Sequence, residues 1–220
     1  MKKIVCGIAL SLLLLGCVSS KPAPDWTNAS FNQLDNYKKS YLTGKGRIAE
    51  AYFNRAVDEI KSSGDLDILA KVYLTKYALH VAVLEPFDGS EYLKIDEVEP
   101  VGENGNFYNF LMGSFEKVDE RLLPQQYAHF FKAFQGGNKD DIARGISDMD
   151  NPLSKLVAVG LLVKKNMYDE RDLKLAIDTA SQNGWKKALL AYMGRLQIFY
   201  EKNNKPDKAA VVREKMKLIE

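Results

Sequence analysis

Residues 196–209 run Leu196-Gln-Ile-Phe-Tyr200-Glu-Lys-Asn-Asn-Lys205-Pro-Asp-Lys-Ala209. Leu196 and Tyr200 lie one helical turn apart and share a face. Asn203 and Asn204 break that run. Pro206, with its φ preset and no N–H to satisfy, suits the opening of a second helix. The stretch therefore predicts helix, tight turn, helix, with one helix over 185–203 and the next over 206–219.

The same grammar extends toward the N-terminus. Helices are predicted over 140–149, 152–165 and 170–183, separated by Asn151-Pro152, Asn166 and Asn183-Gly184, which are turn formers. Residues 156–163, Leu-Val-Ala-Val-Gly-Leu-Leu-Val, are apolar on every side and too short to span a bilayer. They are expected to form a buried central helix. Earlier in the chain, helices are predicted over 32–42, 47–63 and 66–84, the last behind Asp65 as N-cap and stopped before Pro86. Residues 107–121 and 124–135 complete the set. No segment alternates for long enough to build a sheet. The expected class is all-α, with antiparallel helical hairpins stacked as an α-solenoid or α-α superhelix.

The spacing Leu196, Tyr200, Ala209 resembles the tetratricopeptide repeat. Near the other end, Ala49-x₃-Phe53-x₂-Ala56, preceded by Tyr41-Leu-Thr-Gly44, is similar to the second helix of the same repeat. Small alanines let helices approach and aromatics fill the space beside them. The resemblance covers about thirty residues at each end, and it implies a hairpin stack with a concave contact face.

The N-terminus carries a different signal. Lys2 and Lys3 precede an apolar run from Ile4 to Leu15, followed by Gly16 and Cys17. A basic start, a short apolar stretch and a small residue make a secretory signal, and the run is too short for a transmembrane helix. Leu14-Leu15-Gly16-Cys17 resembles the lipobox of bacterial lipoproteins. That resemblance implies removal of residues 1–16 and acylation of Cys17; Val18 in place of Asp implies an outer-membrane anchor facing the periplasm. Several acyl chains hold firmly because each buried CH₂ contributes about 0.8 kcal/mol. Residues 17–30, small, polar and proline-bearing, are expected to be a tether between lipid and domain. Trp26 within it either packs on the domain or dips into the bilayer interface. The domain itself is expected over 31–220, with two lobes an option if residues 85–106 divide it.

Processing also settles the charge. The chain has 31 Lys and Arg against 29 Asp and Glu. Loss of Lys2 and Lys3 with the signal leaves the two signs balanced, so no basic excess remains for nucleic acid, and no nucleic-acid partner is expected. Cys6 leaves with the signal and Cys17 takes the lipid, so no thiol remains for a disulfide, metal or catalysis.

Candidate chemistry is sparse. His80 and His129 are the two histidines, and neither has a ligating residue three or four positions later. Met112-Gly-Ser-Phe115 does not complete a nucleophile elbow. Residues 85–106 hold seven acids against Lys94 alone. Their alternatives are a solvated loop, a calcium site through Asp88, Glu91, Asp96, Glu97, Glu99 and Glu103, or an acidic contact for a basic partner. Within them Tyr92-Leu-Lys-Ile95 reads as a possible short strand. Aromatics recur at helical spacing: Phe107, Phe110, Phe115, then Tyr127, Phe130, Phe131 and Phe134, either as mutual core or as a groove.

No cofactor and no catalytic or metal-binding residue is expected; Cys17 is the only assigned site. The leading expectation is a membrane-anchored, non-catalytic adaptor or assembly factor that binds a protein or peptide of the cell envelope. The alternatives are a cell-wall enzyme, which needs acids gathered in a cleft, and a carrier of an apolar ligand in a cavity lined by the aromatic helices.

Overall fold

The computed structural model describes residues 25–219, with side chains from Asn28 onward. The expected signal segment, Cys17 and the start of the expected tether lie outside the described residues, as does the Trp26 side chain.

The described chain is all-α. In order, the helices are α1 (Asp25–Leu42), α2 (Gly46–Ser63), α3 (Leu66–Ala82), α4 (Ser90–Val98), α5 (Gly102–Met112), α6 (Gln125–Gly136), α7 (Lys139–Ser147), α8 (Pro152–Lys164), α9 (Glu170–Gln182), α10 (Lys186–Lys202) and α11 (Pro206–Ile219). Two 3₁₀ turns, Phe115–Lys117 and Glu120–Leu122, connect α5 to α6. Sequential helices pack in pairs: α1 with α2, α6 with α7, α9 with α10, and α10 with α11. The predicted stops hold for a physical reason. Asn166, Gly184 and Asn204 take left-handed backbone conformations, which Gly and Asn adopt at least cost. Asn138, Asn151 and Asp65 cap the helices that follow them through side-chain oxygens.

Two helices carry the interior. α8 buries Leu156 through Val163 without a break, as its all-round apolarity requires. α3 buries more than the single stripe of Leu69, Val72, Tyr73 and Tyr77 that its 3.6-residue period lays out, adding Ala70, Leu74, Ala78, Leu79 and Ala82. The two cross in contact. At the crossing a Cβ on Gly160 would sit 2.3 Å from the Val81 carbonyl oxygen. Only glycine lets the backbones come this close.

The residues behind the repeat-like spacing are buried where hairpins meet. Leu196, Tyr200 and Ala209 pack within the α10–α11 pair, and Ala49, Phe53 and Ala56 lie on the buried face of α2. The Phe53 ring stands 5.0 Å from that of Tyr37 on α1. The aromatic stripes after residue 106 are core. Phe110, Tyr127, Phe130 and Phe131 are buried, and Phe110 meets the rings of Phe115, Tyr127, Phe130 and Phe131 at 5.0–6.3 Å.

Three expectations need correction. First, α1 begins at Asp25, so residues 25–30 of the expected tether are helical. Ser30 lies one turn before Leu34 on the face that also buries Tyr37 and Tyr41, and it is itself buried. A small polar residue on a packed face looks like linker in sequence. Second, the acidic connection is not a loop: α4 and the start of α5 occupy it, and Tyr92–Ile95 is helix rather than strand. The Asp88 carboxylate accepts from the Ser90 N–H at 3.0 Å and starts α4, while Tyr92 and Ile95, three residues apart, are buried. The acids around them conceal this two-residue apolar face. Third, the helix predicted over 107–121 is displaced, ending at Met112 with Gly113 in the left-handed region. Its earlier start follows from two asparagines that look like turn residues. Asn104 donates to Asp67 at 2.8 Å, and Asn106 clasps the backbone N–H and C=O of Asp119 at 2.7 and 3.0 Å.

The α3–α8 crossing gives a direct test. Gly160→Ala is expected to destabilise the protein by about 1–3 kcal/mol through overpacking, whereas Gly102→Ala, where a Cβ meets nothing within 4 Å, is expected to be neutral. Urea unfolding of the two variants compares them, and equal stabilities would show that the backbones are free to separate.

Candidate functional site

A concave surface with an apolar floor lies at the C-terminal end, where α9, α10 and α11 form a trough of about 550 Å³. Local sequence sets its walls. α9 starts with a reciprocal cap: the Asp169 side chain accepts from the N–H groups of Arg171 and Asp172, and the Asp172 carboxylate accepts from the Asp169 N–H at 2.9 Å. α11 starts at Pro206 after the left-handed Asn204. Between these walls α10 contributes Met193 and Leu196 as floor. Ile177 of α9 and Val211 and Val212 of α11 flank it. Val212 is buried against the stack, but its neighbour Val211 is 55% exposed. Charges of both signs form the rim: Lys174 and Asp178 on α9, Asp207, Lys208 and Lys215 on α11.

One carboxylate organises the end of the trough. Glu170 receives the Lys174 ammonium at 2.8 Å, the Tyr200 hydroxyl at 2.9 Å, Lys205 at 3.4 Å and Lys208 at 3.8 Å. The Lys174 contact first, then the Tyr200 hydroxyl, hold its carboxyl well below the usual 4.5, at about 2. It thereby ties α9 to α10 and α11.

A second polar cluster sits where α1, the end of α3 and α10 converge. The Tyr41 hydroxyl donates to Glu85 at 2.6 Å, and the Lys187 ammonium reaches the same carboxylate at 2.9 Å while standing 3.8 Å above the Tyr41 ring. Burial raises the Glu85 carboxyl, but the Tyr41 hydroxyl and Lys187 outweigh it, and the net shift is downward. His80 stacks on Tyr41 with ring centroids 5.2 Å apart, and its Nδ1 lies 2.8 Å from the Pro86 carbonyl. Burial lowers the His80 value. The donors and acceptors here satisfy each other, which makes the cluster a clasp between distant segments.

The remaining candidates are scattered. His129 is exposed on α6. Among the six acids considered for calcium, Asp88 caps Ser90, Glu91 pairs with Lys94 at 2.7 Å, and Asp96 accepts from the Tyr92 hydroxyl at 2.8 Å. Among the described residues no three His, Cys, Asp or Glu side chains gather as a metal site. Cys17 lies outside the described residues. Sequence reasoning did not single out the trough, because its floor residues share the spacing of ordinary core. The one local hint is Val211 beside Val212, two adjacent apolar residues that cannot share one helical face.

Comparison with models of known protein families, with curated proteins and with solved structures returns no match.

The Glu170 hub predicts a pH dependence. Its folded value lies below its unfolded one, so its stabilisation is present above about 4.5 and fades as pH falls toward 2. Glu170→Gln should lower the thermal midpoint at neutral pH, and the gap from the wild type should close over that acid range. A gap independent of pH would show that the hub is not electrostatic.

Proposed function

We propose that the chain is a lipid-anchored protein of the bacterial envelope, held through Cys17 at the outer membrane and facing the periplasm. In this reading its C-terminal trough takes a segment of another envelope protein, as a non-catalytic adaptor or assembly factor does. The observation that carries the partner-binding part is the trough itself: an apolar floor between two helices, open to solvent, with a rim of both signs. Such a surface suits an amphipathic helix whose apolar stripe is flanked by acids and bases. The tetratricopeptide-like spacing at Leu196, Tyr200 and Ala209 supports the same reading, since stacked hairpins of that kind bind partners along a concave face. The anchoring part rests on the lipobox-like Leu14-Leu15-Gly16-Cys17. Among the described residues no helix is long and apolar enough to cross a membrane.

The mechanism is non-covalent docking. Burial of apolar surface from Ile177 and Val211 contributes about 25 cal/mol per Å² removed from water. The rim charges choose orientation and speed association more than they add affinity. The lipid confines the trough to a layer near the membrane and raises the effective concentration of a partner held there.

Two measurements test the two parts separately. Intact mass of the protein from a bacterial host should show residues 1–16 removed and acyl chains on the new terminus, with Cys17→Ser abolishing both the acyl mass and membrane sedimentation. An unmodified cysteine in the membrane-free fraction would sink the anchor. A photo-crosslinking residue at Val211 should capture one envelope protein at near-stoichiometric yield, while the same group at Val98, 74% exposed on α4, should not. Similar yields from both positions, or none from either, would remove the adaptor reading.

A further inference from the structure

A second concavity, separate from the trough, opens where the end of α3 meets α8 and the middle of α10. It has a volume of about 350 Å³, at the small end of the range typical of ligand sites. Its apolar surface is laid by Val81 and Leu84 from one side and Gly160 and Val163 from the other. The missing Cβ of Gly160 matters here as well as in the crossing, since it leaves the two backbones as a continuous floor.

Leu84 is the unusual member. Its φ is +60°, in the left-handed region where helix ends ordinarily place glycine. The Leu84 N–H donates to the Val81 carbonyl at 3.1 Å, and the Glu85 N–H donates to that of His80 at 2.9 Å, closing α3 around the strained residue. Such a conformation disfavours a branched side chain. At this position the chain accepts that strain and retains an apolar side chain at the cleft.

The polar part of the lining is equally specific. Lys164 and Arg195 both line the cleft, and among the described residues neither has a carboxylate partner. Lys164 donates only to the Leu111 carbonyl at 3.2 Å and lies 5.2 Å from the Phe87 ring centroid; the Arg195 guanidinium lies 5.6 Å from that of Tyr168. Glu85, the acid of the lining, is already held by Tyr41 and Lys187. Partial burial, with Lys165 adjacent, draws the Lys164 ammonium below its usual value. An anion brought to it would reverse that effect. The cleft thus joins an apolar floor to two cations whose charge no acid of the described chain answers.

We propose that this cleft binds a monoanionic amphiphile of the fatty-acid class, a carboxylate ending an unbranched apolar chain. The carboxylate is taken by Lys164 and Arg195, and the chain lies over Val81, Leu84, Gly160 and Val163. Arg offers a planar fork that matches a carboxylate, and Lys a compact charge on a flexible stem. The site is independent of the C-terminal trough and does not require a protein partner.

The test is calorimetric titration of the full chain with decanoate below its micelle concentration, with decanol as the neutral probe of equal length. Decanoate is expected to bind at one site, decanol at least tenfold more weakly. Lys164→Met and Arg195→Met should each weaken decanoate by about tenfold or more, as expected for loss of a charge-assisted hydrogen bond, with unchanged circular dichroism. Equal affinity for decanol would overturn the anion recognition. Binding untouched by both substitutions would overturn the location, and absence of saturable binding would overturn the site. A peptide with a free C-terminal carboxylate that binds tenfold more tightly than decanoate would overturn the choice of a lipid-derived anion.

Discussion

The contact on which the rest depends is the crossing of α3 and α8 at Gly160 and Val81. α8 is apolar on every side from Leu156 to Val163, and α3 keeps only a narrow polar strip at Asp67, Lys71 and Thr75, so both must be largely enclosed by neighbours. They achieve this by enclosing each other first, at backbone distance, and the hairpin pairs then close around them. α9 and α10 follow from α8 along the chain, and α4 and α5 cover α3 from the other side. A side chain at the crossing would push these two groups apart. The core runs from Leu34 to Val212, and at this crossing the missing Cβ lets two of its central helices meet backbone to backbone.

The polar contacts complement this arrangement without competing with it. The Tyr41–Glu85–Lys187 clasp joins residues 44 and 102 positions apart. Glu170 gathers α9, α10 and α11 through four partners, and the Asn106–Asp119 clasp shapes the turn that lets Phe110 face Tyr127 and Phe130. Exposed ion pairs such as Lys38 with Asp35 or Lys217 with Glu214 contribute little by comparison. The half-buried clasps instead choose one arrangement of helices over others of similar apolar burial. They also separate two surfaces with different chemistry: a trough of mixed sign at the C-terminal end, and a cleft with surplus positive charge at the α3–α8 junction.

The mismatches between pattern and fold have one common form. Residues 85–106 look like a solvated connection because their acids outnumber their apolar residues, yet Tyr92 and Ile95 suffice to dock a nine-residue helix once Tyr77 and Tyr108 are there to receive them. Ser30, Asn104 and Asn106 look like linker and turn residues, yet all are buried. In each case the deciding partner lies far away in sequence. The candidate surfaces suffer the same opacity: Ile177 and Leu196 have the spacing of core residues, and only the splay of α9 from α11 leaves them facing a trough.

What the sequence by itself determined is therefore what local chemistry controls. Helical period, asparagine and glycine stops, proline starts and the unbroken apolar run of α8 define an all-α chain of paired helices, because each of these acts within a few residues. The tertiary structure alone decided that α4 and α5 exist as helices, that the aromatics after residue 106 face one another, and where concave surface remains. Those outcomes depend on which side chains converge from distant segments, and on how closely two backbones approach where a glycine stands between them.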